Sequence, residues 1–123
     1  MLFRSGTIYI VGEITQRMAS QFRQHIRTLE RLKKIPAIQV EINSPGGDIE
    51  AGFLMIDSIE LCKKPVTTRV TGVAMSMGAL ILAAGKNREA LPNASLMVHQ
   101  GTYRLNAGFN EMQIGRASCR ERV

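Results

Sequence analysis

From Thr7 onward, short β-branched runs alternate with longer stretches whose apolar residues recur every three or four positions. TIYIV at 7–11, closed by Gly12, predicts a first strand. From Ile14 to Lys34 the apolar positions are Ile14, Met18, Phe22, Ile26, Leu29 and Leu32, one face of an amphipathic helix. Arg17, Arg23, Arg27, Arg31 and Lys33 fall on the opposite face, most simply a solvated surface, and His25 joins them as a surface residue rather than a ligand. Pro36 stops this helix, and AIQVEI at 37–42 sets Ile38, Val40 and Ile42 against Gln39 and Glu41, the alternation of a second strand. Strand, helix, strand implies a parallel pair joined by a right-handed crossover.

The same rhythm continues. After NSPGGD at 43–48, residues Ile49 to Cys62 read as a second helix, with Ile49, Phe53, Ile56 and Ile59 on its buried face and Asp48 in its first turn, where a carboxylate suits the helix dipole. VTTRV at 66–70 predicts a third strand. It leads into GVAMSMGALILAAG at 72–85, a stretch without a charge whose second half, from Met77 to Ala84, is rich in helix formers. KNR at 86–88 reads as a short basic turn, and Ser95 to Val98 as a fourth β-like run that ends on His99. The expected architecture is one α/β domain of repeated strand-helix units with a mostly parallel sheet.

Composition narrows the function classes. The 123 residues are 45% apolar, enough for one modest core. A formal charge of +6 invites a nucleic-acid reading, but the basic residues are dispersed and only two tyrosines and four phenylalanines are present to stack on bases. No nucleic-acid partner is expected. The opening MLFRSGTIYIVG lacks the apolar core of a signal peptide, and no apolar run reaches the roughly 18 residues needed to span a bilayer. A cytoplasmic protein without a membrane partner is expected. Cys62 and Cys119 fit no metal-ligand spacing, so neither a metal site nor a disulfide is expected.

Three features share one topological register. Gly46 and Gly47 follow the second strand, Ser76 follows the third, and His99 follows the fourth run. In a parallel sheet these are all carboxyl ends, where open α/β folds bind ligands. Ala74, Met75, Ser76, Met77 and Gly78 form a small-x-Ser-x-Gly pattern at a strand-to-helix junction, which exposes a serine hydroxyl beside free helix amides. Each feature has a plainer reading alone: a buried core serine, an ordinary tight turn, a structural histidine. Together they supply a nucleophile, a general base and a backbone oxyanion hole, the parts needed for acyl transfer.

INSPGGDIEAG at 42–52, GVAMSMGA at 72–79, LILAAG at 80–85 and LPNASLMVHQ at 91–100 closely resemble the ClpP family, the proteolytic subunits of ATP-dependent caseinolytic proteases. The resemblance covers roughly residues 7 to 113. It implies a crotonase-like fold and a serine endopeptidase that hydrolyses unfolded polypeptides through an acyl-enzyme. Ser76 would be the nucleophile and His99 the general base, with the amides of Gly47 and Met77 as oxyanion donors. Gly46, Gly47 and Asp48 would hold the substrate as an added β-strand. The resemblance also implies a homo-oligomer of two stacked heptamers fed by an AAA+ ATP-driven unfoldase, so that ATP is used by the partner and no cofactor is needed here. Two alternatives stay open, a non-catalytic ring subunit and a signal-peptide-peptidase-like Ser/Lys protease for which Lys86 is the nearest downstream lysine.

The family's triad has an aspartate beyond its histidine, and the only aspartates here are Asp48 and Asp57. Loss of that carboxylate costs about four orders of magnitude in a chymotrypsin-type triad. The last ten residues, IGRASCRERV, reverse-translate to ATC GGA AGA GCG TCG TGT AGG GAA AGA GTG, a sequencing-library adaptor read in frame. The expectation is therefore a fragment, with residues 1–113 a partial ClpP-like domain and 114–123 a non-biological tail, and with little activity of its own.

Overall fold

The structure, a computed structural model, describes residues 6–98. In chain order the elements are β1 (Thr7–Val11), α1 (Gln16–Arg31), β2 (Ile38–Ser44), α2 (Ile49–Glu60), β3 (Val66–Met75), α3 (Met77–Ala83), β4 (Asn87–Ala90) and β5 (Ser95–Met97). β1 to β4 lie side by side in sequence order, and β5 also pairs with β3. Every strand pairing among the described residues is parallel, so the expected mixed α/β fold with a parallel sheet is the one observed.

The period-2 pattern of the strands sorts the sheet into two faces. Ile8, Ile10, Ile38, Val40, Ile42, Val66 and Val70 are buried in one core with Phe22, Ile26 and Leu29 of α1 and Met55 and Ile59 of α2. On the other face Tyr9 and Val11 are exposed, and Arg69 forms ion pairs with Glu89 at 2.7 Å and Glu41 at 3.7 Å. The cationic outer face of α1 is solvent-exposed at Arg17, Arg23, Arg27 and Arg31, as its periodicity predicts.

Four local expectations are corrected. Helix α1 starts at Gln16 rather than Ile14, because Thr15 is extended and its hydroxyl accepts the Met18 N–H as an N-cap. Ile14 instead makes a parallel bridge to Gly47. The buried stripe of α2 is Ala51, Gly52, Met55 and Ile59; Ile49, Phe53 and Ile56 flank it and are half-buried. That helix is apolar over much of its circumference, so periodicity alone places the stripe poorly. β3 continues through Met75, five residues beyond the VTTRV run. The residues read as a basic turn contribute Asn87 and Arg88 to β4, whose register on Thr67 to Val70 comes from pairing and not from its polar, largely exposed side chains.

Candidate active site

β3 ends at Met75 and α3 begins at Met77, leaving Ser76 alone at the junction. Its backbone takes φ 54° and ψ −119°, and among the described residues it is the only non-glycine residue with a positive φ. Such a conformation costs roughly 1–3 kcal/mol and persists only where the surroundings impose it. Here they do. The Ser76 N–H donates to Met97 O at 2.8 Å, and Ser76 O accepts from Ala79 N at 3.0 Å and Leu80 N at 3.3 Å. The side chain makes no capping hydrogen bond to α3, and the residue is half-buried. The amides of Met77 and Gly78 lie in the first turn, where a helix offers them no internal acceptor. Met77 itself is buried, its side chain packed where any Cβ on Gly52 of α2 would collide with it.

The Pro45–Gly47 turn closes on this elbow. A Cβ on Gly46, whose φ is 108°, would sit 2.9 Å from Met75 O, 3.1 Å from Ser76 Cβ and 3.3 Å from Met77 N. Only glycine permits so close an approach. Gly47 is bridged to Ile14 through its neighbours, with Ile14 N donating to Gly46 O at 2.9 Å and Asp48 N donating to Ile14 O at 2.9 Å. In a parallel ladder the bridged residue's own N–H and C=O then face the opposite edge, which is the side of β3 and Ser76. The turn is braced by Ser44, wholly buried, whose Oγ accepts the Gly46 N–H at 3.1 Å.

Asp48 has a defined task of its own. Its carboxylate caps α2 by accepting from Ala51 N at 2.8 Å, and it also accepts from Gln16 Nε2 at 2.9 Å, tying the starts of the two helices together. Its carboxylate and its amide are thus both engaged with the scaffold. Lys86 is at the wrong end of the sheet. Its amide donates to Val66 O at 2.8 Å, at the start of β3, whereas Ser76 follows the end of that strand. β2 spans Ile38 to Ser44 beside Val66 to Ala74, which at the rise of a parallel strand is roughly 20 Å. The Ser/Lys alternative through Lys86 is excluded by that separation.

β5 brings the fourth run to the site. Met97 pairs with Met75, so β3 and β5 end in register, and Ser76 N–H bonds to the Met97 carbonyl. His99, two residues further along the chain, lies outside the described residues. Among the described residues the perturbed titrating groups lie elsewhere: burial pushes the Cys62 thiol up and lowers His25, on α2's C-terminal side and α1 respectively. Among the described residues no cluster of His, Cys, Asp and Glu could hold a metal ion. No described helix is long and apolar enough to cross a membrane.

A family model described as Clp protease matches residues 1–120, nearly the whole chain. The chain belongs to the Clp protease family. That match reaches into the 114–123 segment. The chain is also similar to the ATP-dependent Clp protease proteolytic subunit of Deinococcus radiodurans, 36% identical over 110 residues, which cover 88% of this chain and 52% of that protein. It therefore spans about half the length of this curated relative. The structure brings together Ser76 and the glycine pair that the sequence singles out, and it adds Asn43 and Ser44, which sequence reasoning passes over and whose side chains bond the backbone around them. The signal for Ser44 is present in NSPGG: a serine two residues before a glycine turn can bond the turn's amide.

Proposed function

We propose that this chain carries the nucleophile and oxyanion hole of a serine endopeptidase that cleaves unfolded polypeptides. The strained backbone of Ser76, at a strand-to-helix elbow faced by the Gly46–Gly47 turn, is the observation that carries the reading. A hydroxyl held this way is exposed to an incoming carbonyl while helix amides stand beside it. Ser76 Oγ attacks the scissile carbonyl as His99 takes its proton, and the amides of Gly47 and Met77 receive the charge developing on oxygen. Collapse of the tetrahedral intermediate expels the amine, protonated by His99, and leaves an acyl-enzyme that water hydrolyses. The exposed Gly47 edge, with Gly46 and Asp48 beside it, takes the substrate backbone as an added strand, which binds many sequences without selecting one. The third triad member, the ring of subunits and a cytoplasmic ATP-driven unfoldase belong to the same proposal. So does the adaptor origin of residues 114–123, which amplification of the source gene across the Gln113 codon tests.

A fluorophosphonate probe applied to the full-length gene product tests the chemistry. The expected result is a Ser76 adduct that disappears in Ser76→Ala and forms far more slowly in His99→Ala. Labelling unchanged by Ser76→Ala, or peptide cleavage that survives it, would favour a non-catalytic subunit and overturn the proposal.

A further inference from the structure

β2 and β3 fall out of step next to the site. Ile42 pairs with Val70 and Ser44 with Ala74, so Asn43 alone stands opposite Thr71, Gly72 and Val73. The two extra residues of β3 form a bulge, the device by which a strand bends and re-aims the chain beyond it. The bulge also coincides with a change of partner on the other edge of β3. Thr67 to Val70 pair with β4, and Val73 to Met75 pair with β5. Ser76 comes directly after, its N–H bonded to the end of β5.

The Asn43 side chain occupies the bulge. Its Oδ1 accepts the Val73 N–H at 3.1 Å, and a Cβ on Gly72 would collide with the same amide group. Its backbone carbonyl accepts the Gly12 N–H at 3.0 Å, which anchors β1 to β2 independently of the side chain. Asn43 is exposed, so its side chain adds little to the core. We propose that Asn43 is a positioning residue for Ser76: by closing the β3 bulge it sets where the strand leaves β4 for β5 and hence where the elbow hydroxyl stands. The proposal rests on the nucleophilic role of Ser76 argued above.

The bond needs an acceptor at the position of Oδ1 and a glycine opposite. Asn43→Ala removes the acceptor, Asn43→Asp keeps it, and Gly72→Ala displaces it. The rate of fluorophosphonate labelling of Ser76, peptide kcat and KM, and the thermal midpoint are measured on the full-length protein and on each variant. Because a misplacement of about 1 Å at a reacting group can cost about 100-fold, Asn43→Ala and Gly72→Ala are expected to slow labelling about tenfold. The loss falls on kcat with KM little changed, and Asn43→Asp recovers the rate to within about threefold. A parent-like labelling rate in Asn43→Ala overturns the positioning role, as does an equal loss in Asn43→Asp and Asn43→Ala, which marks a general effect of substitution. Absence of Ser76-dependent labelling in the parent overturns the nucleophile reading itself, and the positioning role with it.

Discussion

If the Ser76 backbone is strained as its φ of 54° and ψ of −119° indicate, replacing the serine by glycine and by alanine should reverse the usual order of stability. Both substitutions delete the hydroxyl and whatever it bonds, so their difference isolates the backbone. At an ordinary position glycine is the less stable of the two by roughly 0.5–1 kcal/mol, because its unfolded chain has more freedom to lose. At Ser76 glycine also releases a conformation that costs a side-chain-bearing residue roughly 1–3 kcal/mol. The balance leaves Ser76→Gly more stable than Ser76→Ala by about 1 kcal/mol, or roughly 4 °C in thermal midpoint for a domain near this size. Urea denaturation of the two variants under identical conditions measures it, provided their m-values agree. An alanine variant as stable as the glycine variant, or more so, would show that the elbow stores no strain, and the observation on which the catalytic reading depends would be lost.

Packing around the elbow gives two further expected outcomes. Gly46→Ala places a methyl group 2.9 Å from Met75 O and 3.1 Å from Ser76 Cβ; it is expected to cost roughly 1–3 kcal/mol in denaturant titration and to slow fluorophosphonate labelling at least about tenfold, and labelling at the parental rate would refute that close approach. Thr68 is wholly buried and its hydroxyl donates to Leu82 O at 2.6 Å, a carbonyl that also accepts the Gly85 N–H at 3.3 Å, so Thr68→Val should cost roughly 0.5–1.5 kcal/mol by removing the shorter of its two hydrogen bonds, while the labelling rate of the folded variant stays at the parental value.

Much of this fold is written in short-range pattern. TIYIV and AIQVEI alternate because one face of each strand meets the helices, and the α1 stripe is legible because its other face is so strongly cationic. Where that contrast fails, so does the reading. α2 is apolar on several sides, and periodicity puts its stripe on Ile49, Phe53 and Ile56, whereas Ala51, Gly52 and Met55 are the buried positions, chosen by their small size or by a gap they fill. β4 has no inward hydrophobic alternation to announce it; its place is decided by hydrogen bonds to β3, a non-local property. At the candidate site, Ser76 and the glycine pair stand out in the sequence because a serine between small residues and two successive glycines each fall at a strand's end. Asn43 is not, because its task is visible only when Ile42 is seen opposite Val70 and Ser44 opposite Ala74.

Parallel pairing is what turns distant segments into one site. Because β2, β3 and β5 run in the same direction, their carboxyl ends share an edge, and the turn after Ser44, the elbow at Ser76 and the end of β5 at Met97 meet there although tens of residues separate them. The same geometry sends the chain after α3 back to the amino edge, which is why Lys86 meets Val66 and not Ser76. Register then matters more than direction. With β2 and β3 in simple step, Asn43 would face Thr71 alone and the end of β3 would be displaced by two residues against β2. Gly46 would no longer lie against Ser76 Cβ, and the amide edge of Gly47 would face a different part of the elbow. The bulge therefore couples the Gly46–Gly47 turn on one strand to the Ser76 elbow on the next, and among the described residues the alignment of these two backbone segments rests on that irregularity between β2 and β3.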